Sequence, residues 1–316
     1  VRAHTAFAVG AVAGYAADTA LADPRRGHPV ALFGSAAAAL ERRLWRDRRA
    51  AGSAFTALCV GAVAVGAAAA DRAARRSGPA RALLAAGATW TVLGGTSLTR
   101  EARTVAAALE AGDLAAARAR LPHLCGRDPR GLDRDGLARA VVESVAENTA
   151  DAVVGALVWG ALAGTPGLLA YRAVNTLDAM VGHRSPRHLR FGWASARLDD
   201  VAGWPGARLT ALLTVAASAE PRRAWRVWRR DGSAHPSPNA GQAESAFAGA
   251  LGVRLGGTLA YGGRVEHRPV LGGELRPVGV ADIERACLLS HRVGLLALGA
   301  TAVARWTAGA LRGRRG

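Results

Sequence analysis

Long uncharged runs alternate with polar, arginine-rich stretches along this chain. Residues 50–70, AAGSAFTALCVGAVAVGAAAA, carry no charge for 21 positions, and residues 82–99, ALLAAGATWTVLGGTSLT, none for 18. Each run is long enough to cross the roughly 30 Å hydrocarbon layer of a bilayer as a helix. The short polar DRAARRSGPAR between them predicts a membrane hairpin, with two Ala-rich helices of a soluble bundle as the alternative. Residues 3–17 and VGLLALGATAVARW from Val293 are marginal spans that gain weight in the company of that hairpin.

Two further apolar runs contain helix breakers. Residues 152–171 run into GTPG at 164–167, and residues 201–219 contain Pro205 and Arg208. Proline removes a helix hydrogen bond and clashes with the preceding turn. Broken apolar helices in membranes line a cavity or re-enter on one side. Residues 100–140 show helical spacing of apolar positions among Arg and Glu, whereas 220–285 are polar with Gly-rich turns and room for a short hairpin. The expected fold is therefore all-α: a polytopic integral membrane protein with broken or re-entrant apolar helices and polar helical loops. Residues 1–316 read as a single membrane-embedded domain, with 100–140 and 220–285 as its membrane-peripheral parts.

Composition sharpens this picture. The formal charge is +17 and the chain contains no Lys, so every basic residue apart from His is Arg. Nucleic acid is not the expected partner, since no helix-turn-helix, zinc-finger or RNA-recognition pattern accompanies the charge. Anionic substrates and membrane-flanking loops remain. Arg-rich loops place the motif-bearing side toward the cytoplasm. Cys59, Cys125 and Cys287 stand far apart without a CxxC, which suggests neither a zinc site nor a disulfide framework. The first apolar stretch lacks a basic leader and a cleavage pattern and does not read as a removable signal.

Four polar clusters border the apolar runs. DPRRGHP, residues 23–29, is a turn by composition, and Arg25, Arg26 and His28 within it could meet an anion; Asp18 lies just upstream. Glu143, Glu147 and Asp151 recur every four residues and so form one acidic stripe on a helix, with Asn148 beside it. Like charges at that spacing repel. The stripe is then solvated, paired with Arg, or organised around a cation. In the third cluster Arg172, Asn175 and Asp178 share a helix face, followed by Arg184, Arg187, Arg197, Asp199 and Asp200. Carboxylates with nearby Asn suit Mg²⁺, and Arg suits phosphate or carboxylate, while an interfacial salt-bridge network accounts for the same residues. The fourth, HPSPNAGQAES, reads as a helix start with Asn239 as N-cap and Gln242 as its capping-box partner. Backbone N–H groups there could hold phosphate, leaving His235 and Glu244 as candidates for proton transfer or metal contact.

Walker A, GxGxxG, HExxH and GxSxG patterns are absent. Taken together, however, DPRRGHPV, VVESVAENTADAVVGALVWGAL, YRAVNTLDAMVGHRSPRHLRFGWASARLDDVA and HPSPNAGQAESAFAGALGVRLGG resemble the signature of the CobD/CbiB family, the adenosylcobinamide-phosphate synthases. The departures are small: Ala150 and Ala152 stand where a bulkier residue and Gly are expected, and Ala22 stands before DP where Gly is common. None removes a charged motif residue.

The resemblance implies an integral membrane ligase of the cell membrane. It would join adenosylcobyric acid to aminopropanol phosphate, with ATP as co-substrate and Mg²⁺ as cofactor. Other membrane enzymes of late cobalamin assembly are further candidate partners. On this reading Glu143, Glu147 and Asp151, with Asp178 or Asp199, hold Mg²⁺ on the nucleotide. Arg172, Arg184 and Arg197 clamp phosphate, and Arg25, His28, Asn175, Ser237 and Asn239 complete the binding set. His235 or Glu244 accepts the proton of the attacking amine, and Glu147 belongs to the catalytic group. A transporter, or a non-catalytic corrinoid-binding relative, is the rival reading.

Overall fold

Prolines and short polar side chains start several of the helices in this computed structural model, which describes residues 3–24, 27–261 and 264–312. α1 (Ala3–Leu21) is followed by α2 (Pro29–Leu44), where His28 Nδ1 accepts from Val30 N at 3.2 Å. α3 (Arg49–Ala74) turns into α4 (Gly78–Val92), capped by Ser77, and α5 (Gly95–Glu110) follows. Asp113 and Asp133 cap α6 (Leu114–Arg120) and α7 (Arg134–Asn148), with a 3-10 turn (Leu121–His123) between those helices. Each such cap satisfies an N–H that has no partner inside the helix, and is worth about 1 kcal/mol.

Beyond α7 the helix continues without a gap through a π turn (Thr149–Val154) into α8 (Gly155–Leu177) and a second π turn (Asp178–Gly182). α9 (Trp193–Ala217), α10 (Pro221–Asp231) and α11 (Ala240–Leu251) come next. The antiparallel hairpin β1 (Leu255–Tyr261) and β2 (Arg264–Leu271) precedes α12 (Ala281–Arg312). The fold is thus mainly helical, and the Gly-rich 220–285 stretch supplies its hairpin.

Among the described residues, three helices are long and apolar enough to cross a membrane: Arg49–Ala74, Arg134–Gly182 and Ala281–Ala308. The run at 82–99 is not one of them. Leu93 leaves the helix in extended conformation (φ −72°, ψ 141°), so α4 keeps 15 residues, about 22 Å at 1.5 Å per residue, and α5 begins afresh at the glycines. The expected two-span hairpin therefore has only its first arm, α3. By contrast, the break at GTPG is present: Gly164 takes φ +69° and ψ −155°, which interrupts α8. Pro205 is carried inside α9.

The chain forms two compact units. The first comprises Val1–Gly94, Gly155–Gly206 and Ala297–Gly316, and the second Gly95–Val154 and Ala207–Leu296. Within the first, α1 and α4 approach backbone to backbone at Gly10 and Gly14. A Cβ on either would fall 2.4 Å from a carbonyl oxygen of α4, that of Ala82 or Ala86 respectively. This four-residue glycine spacing is the small-residue packing that brings helices together where no hydrophobic drive exists. Phe55 of α3 and Phe191 are fully buried with ring centroids 5.2 Å apart, and Thr56 and Ser195 share a hydrogen bond of 2.8 Å. Ala22 sits at φ +55°, a left-handed conformation that costs a residue with a Cβ roughly 1 kcal/mol. Glycine at that position would relieve it. The second unit packs α10 on α11, with Ala211, Trp228 and Ala246 in one buried cluster.

Candidate active site

Charged side chains gather inside the second unit. α7 presents Glu143 and Glu147 one turn apart, and Glu143 is only 4 % exposed. Its Oε2 accepts from Arg127 Nη2, itself on a buried side chain, while its Oε1 accepts from Gly256 N at 2.7 Å. Arg139, one turn earlier on α7, places Nε 4.0 Å from the same Oε1. Both oxygens of Glu143 are therefore committed. Gly256 makes this possible: it lies at φ +79° beside a bulge in the hairpin, and a Cβ there would stand 2.2 Å from Pro269 O.

A second group of side chains comes from the loop between α10 and α11. Gln242 anchors that loop, donating from Nε2 to Gly232 O at 2.9 Å and accepting from Trp228 Nε1 at 2.8 Å. Ser237 Oγ accepts from Asn239 N and Ala240 N and so caps α11. The expected Asn239–Gln242 capping box is not formed. Asn239 has helical backbone angles and accepts at Oδ1 from Arg208 Nη1 at 2.9 Å, while the Gln242 amide is engaged with Trp228 and Gly232. His235 Nδ1 accepts from Ser237 N at 3.0 Å, and its Nε2 lies 3.1 Å from Arg268 Nη1 and 3.9 Å from Glu244 Oε1.

Burial, reinforced by the Arg268 guanidinium, pushes the His235 imidazole down to about 4. Glu244 moves the other way, well above the usual carboxylate range, because it is buried and because Glu143 and Glu147 are near it. In both groups burial thus favours the neutral form. Their contributions to stability have opposite signs. Folded His235 binds fewer protons than the unfolded chain between about 4 and 6.5, so its contribution grows as pH rises through that interval. Folded Glu244 keeps a proton that the unfolded chain releases above 4.5, so its contribution is lost as pH climbs toward the raised folded value. Thermal unfolding is expected to show a decline from Glu244 that opens above pH 4.5 and opposes the gain from His235, limited to about 1.4 kcal/mol per pH unit for one group. Glu244→Gln should flatten the decline; an unaltered slope in that variant would assign the effect elsewhere.

The remaining candidates are distributed as follows. Asp151 lies in the first π turn, pinned at its start by Thr149 Oγ1, which is 2.6 Å from both Val145 O and Ser290 Oγ. A π turn takes up one residue more than an α turn. The four-residue stacking of Glu143 on Glu147 therefore does not continue unchanged to Asp151. Asp178 opens the second π turn and belongs, with Asp199, to the first unit. The five expected metal ligands are thus divided between the units. Also in the first unit, Arg172 Nη1 donates to Asn175 Oδ1 at 3.3 Å, Arg197 pairs with Asp200 at 3.3 Å, and Arg184 is exposed. His28 caps α2 through Nδ1 and sets Nε2 3.3 Å from Asp23 Oδ1. Arg25 lies outside the described residues.

Among the described residues, no group of three or more His, Cys, Asp or Glu is disposed to hold a metal ion. Sequence reasoning missed Arg127, Arg139 and Arg268, the cations of the cluster. Among 41 arginines, nothing local marks these three for the cluster.

Comparison with known proteins follows the same stretches. The family model described as CobD/Cbib protein matches residues 11–290. A relative from Mycobacterium tuberculosis, named Cobalamin biosynthesis protein CobD, is 55 % identical over 90 % of this chain and 92 % of its own length. Relatives of the same name from Geobacter metallireducens and Rhodobacter capsulatus are 45 % and 42 % identical, over 83 % and 85 % of this chain and 85 % and 86 % of theirs. No solved structure matches.

Proposed function

The chain belongs to the CobD/CbiB family of cobalamin biosynthesis proteins, and from that premise we propose that it is the ATP-dependent ligase joining adenosylcobyric acid to (R)-1-amino-2-propanol phosphate, giving adenosylcobinamide phosphate. The observation that carries this reading is the half-buried cluster in which Glu143, Glu147 and Glu244 meet Arg127, Arg268 and His235. Such a cluster suits a reaction whose substrates are anionic and whose nucleophile must lose a proton.

A carboxylate resists attack by an amine until its oxygen becomes a better leaving group, which phosphoryl transfer from ATP supplies. Catalysis of that step is positioning and charge neutralisation. Arg268 is the cation beside His235 and Glu244 for a phosphate or the activated acyl group. Arg172, Arg184 and Arg197 of the first unit remain candidates for substrate phosphates. Glu244 suits the role of proton acceptor better than His235, because its raised affinity for a proton lies closer to what an alkylammonium donor needs. His235, held down near 4, serves as an oriented neutral ring beside Arg268.

One or two carboxylates would suffice to hold a Mg²⁺ ion borne by the phosphates of ATP. Partly exposed Glu147 and Asp151 fit that demand, whereas Glu143, with both oxygens engaged, does not. The ion would neutralise phosphate charge. We further infer a multi-pass protein of the cell membrane, with α3, the α7–α8 run and α12 as its spans and the motif face toward the cytoplasm.

The test is a product assay with purified protein, adenosylcobyric acid, aminopropanol phosphate, Mg²⁺ and ATP, each omitted in turn, read by mass spectrometry. The expected result is amide that requires every component. Well-folded protein that yields none would overturn the ligase assignment.

A further inference from the structure

α10 carries five arginines in eleven residues, and they fall into two groups by contact. Arg223 donates to Gly249 O at 2.7 Å and Ala250 O at 3.3 Å, tying α10 to the end of α11. Arg230 is held by Asp231 and by Glu274 at 2.7 Å. The remaining three, Arg222, Arg226 and Arg229, are exposed, and among the described residues none of them is in an ion pair. Their spacing of four and three residues aligns them on one helix face.

Trp225 lies on that same face and is 47 % exposed. Arg229 stacks over its ring at 5.8 Å, and the buried ring of Trp228 backs it edge-on at 5.2 Å. The opposite face, Ala224, Val227 and Trp228, is buried against α11, where a Cβ at Gly249 would come within 2.7 Å of Ala224 Cα. The helix is thus anchored on one side and presents three unpaired cations flanking an aromatic ring on the other.

We propose that this face of α10 is a docking surface for the anionic headgroups of a membrane leaflet, with Trp225 seated at headgroup level. Charge complementarity carries the choice of partner: arginine attracts acidic lipid through a surface potential, and an amphipathic ring beside it is the side chain that settles at a bilayer interface. The consequence reaches the candidate active site within the same unit. Trp228 of α10 holds Gln242, which holds Gly232 at the start of the His235 loop. Lipid contact at α10 therefore fixes the support on which His235 stands.

The experiment uses the full chain reconstituted in bilayers of brominated phosphatidylcholine with increasing brominated phosphatidylglycerol. The readout is the emission lost on Trp225→Phe, which isolates one of eight tryptophans. The expected result is quenching of the Trp225 component that rises with acidic lipid and weakens with salt. Each surface arginine is worth about a fivefold gain in affinity for an acidic leaflet, so Arg222→Gln/Arg226→Gln/Arg229→Gln should weaken that affinity about 100-fold and abolish the rise in quenching with acidic lipid. These side chains are exposed, and helix content and monodispersity establish that the variant is folded. Absence of quenching at any composition would overturn the proposal and leave a protein or nucleic acid partner for the face. Equal quenching in neutral lipid and in the triple variant would overturn it too, since charge would then play no part. Flotation with neutral vesicles separately tests whether the chain is embedded at all.

Discussion

Arg127→Ala should destabilise the second unit by about 3–5 kcal/mol, because it takes the nearest cation away from Glu143, a charge in a buried setting. The Gly256 N–H would be the one remaining close donor among the contacts described for that carboxylate, apart from Arg139 at 4.0 Å. Replacing the pair together, as Arg127→Met with Glu143→Leu, should recover most of the loss, since the desolvation cost of two ions disappears with them. What is not recovered is the acceptor for Gly256, worth about 1–3 kcal/mol. A double-mutant cycle read by chemical unfolding in detergent would measure this. A single variant within about 1 kcal/mol of wild type would mean that the pair is solvated in practice.

Glu147→Gln is expected to behave in the opposite way, leaving stability nearly unchanged and lowering amide formation by about 100-fold or more. Glu147 is partly exposed and one turn from Glu143, and its neighbours are charged groups that the reaction can use. The origin of the loss can be separated by kinetics. A ligand to nucleotide-borne Mg²⁺ would show a raised Mg²⁺ requirement, whereas a proton carrier would show a displaced pH profile. Near wild-type rates under saturating Mg²⁺ and ATP would remove Glu147 from the site.

Much of the fold was legible because apolar runs and breakers act locally. GTPG foretold the interruption at Gly164, whose left-handed φ is a conformation that glycine adopts without a Cβ penalty. The run at 82–99 misled for a related reason: absence of charge measures hydrophobic length, not helix continuity, and Gly94 and Gly95 let the chain restart after Leu93. The acidic stripe was correct over one turn, Glu143 to Glu147. At Asp151 the helix spacing changes, and the sequence did not show it, since a π turn has no compositional signature and depends on partners such as Ser290, 141 residues away from Thr149. The same limit hid the capping of α11. Asn239 and Gln242 have the right spacing for a reciprocal pair, but Arg208 and Trp228 offered them other partners and Ser237 took the cap. The cluster's arginines were illegible in a chain whose lysine-free basicity makes every loop look alike.

Arg305 gives the break in α8 a further meaning. Its Nη1 donates to Ala161 O at 2.9 Å and Leu162 O at 3.3 Å, and its guanidinium lies 5.4 Å from the Phe7 ring. The interruption at Gly164 frees helix carbonyls that apolar surroundings cannot satisfy. A side chain from the last helix thus works as a splint across a fracture more than 140 residues earlier. Shortening the chain to end before Arg305 would therefore not be a neutral trim. It would leave the carbonyls of Ala161 and Leu162 without the donor that Arg305 brings to them.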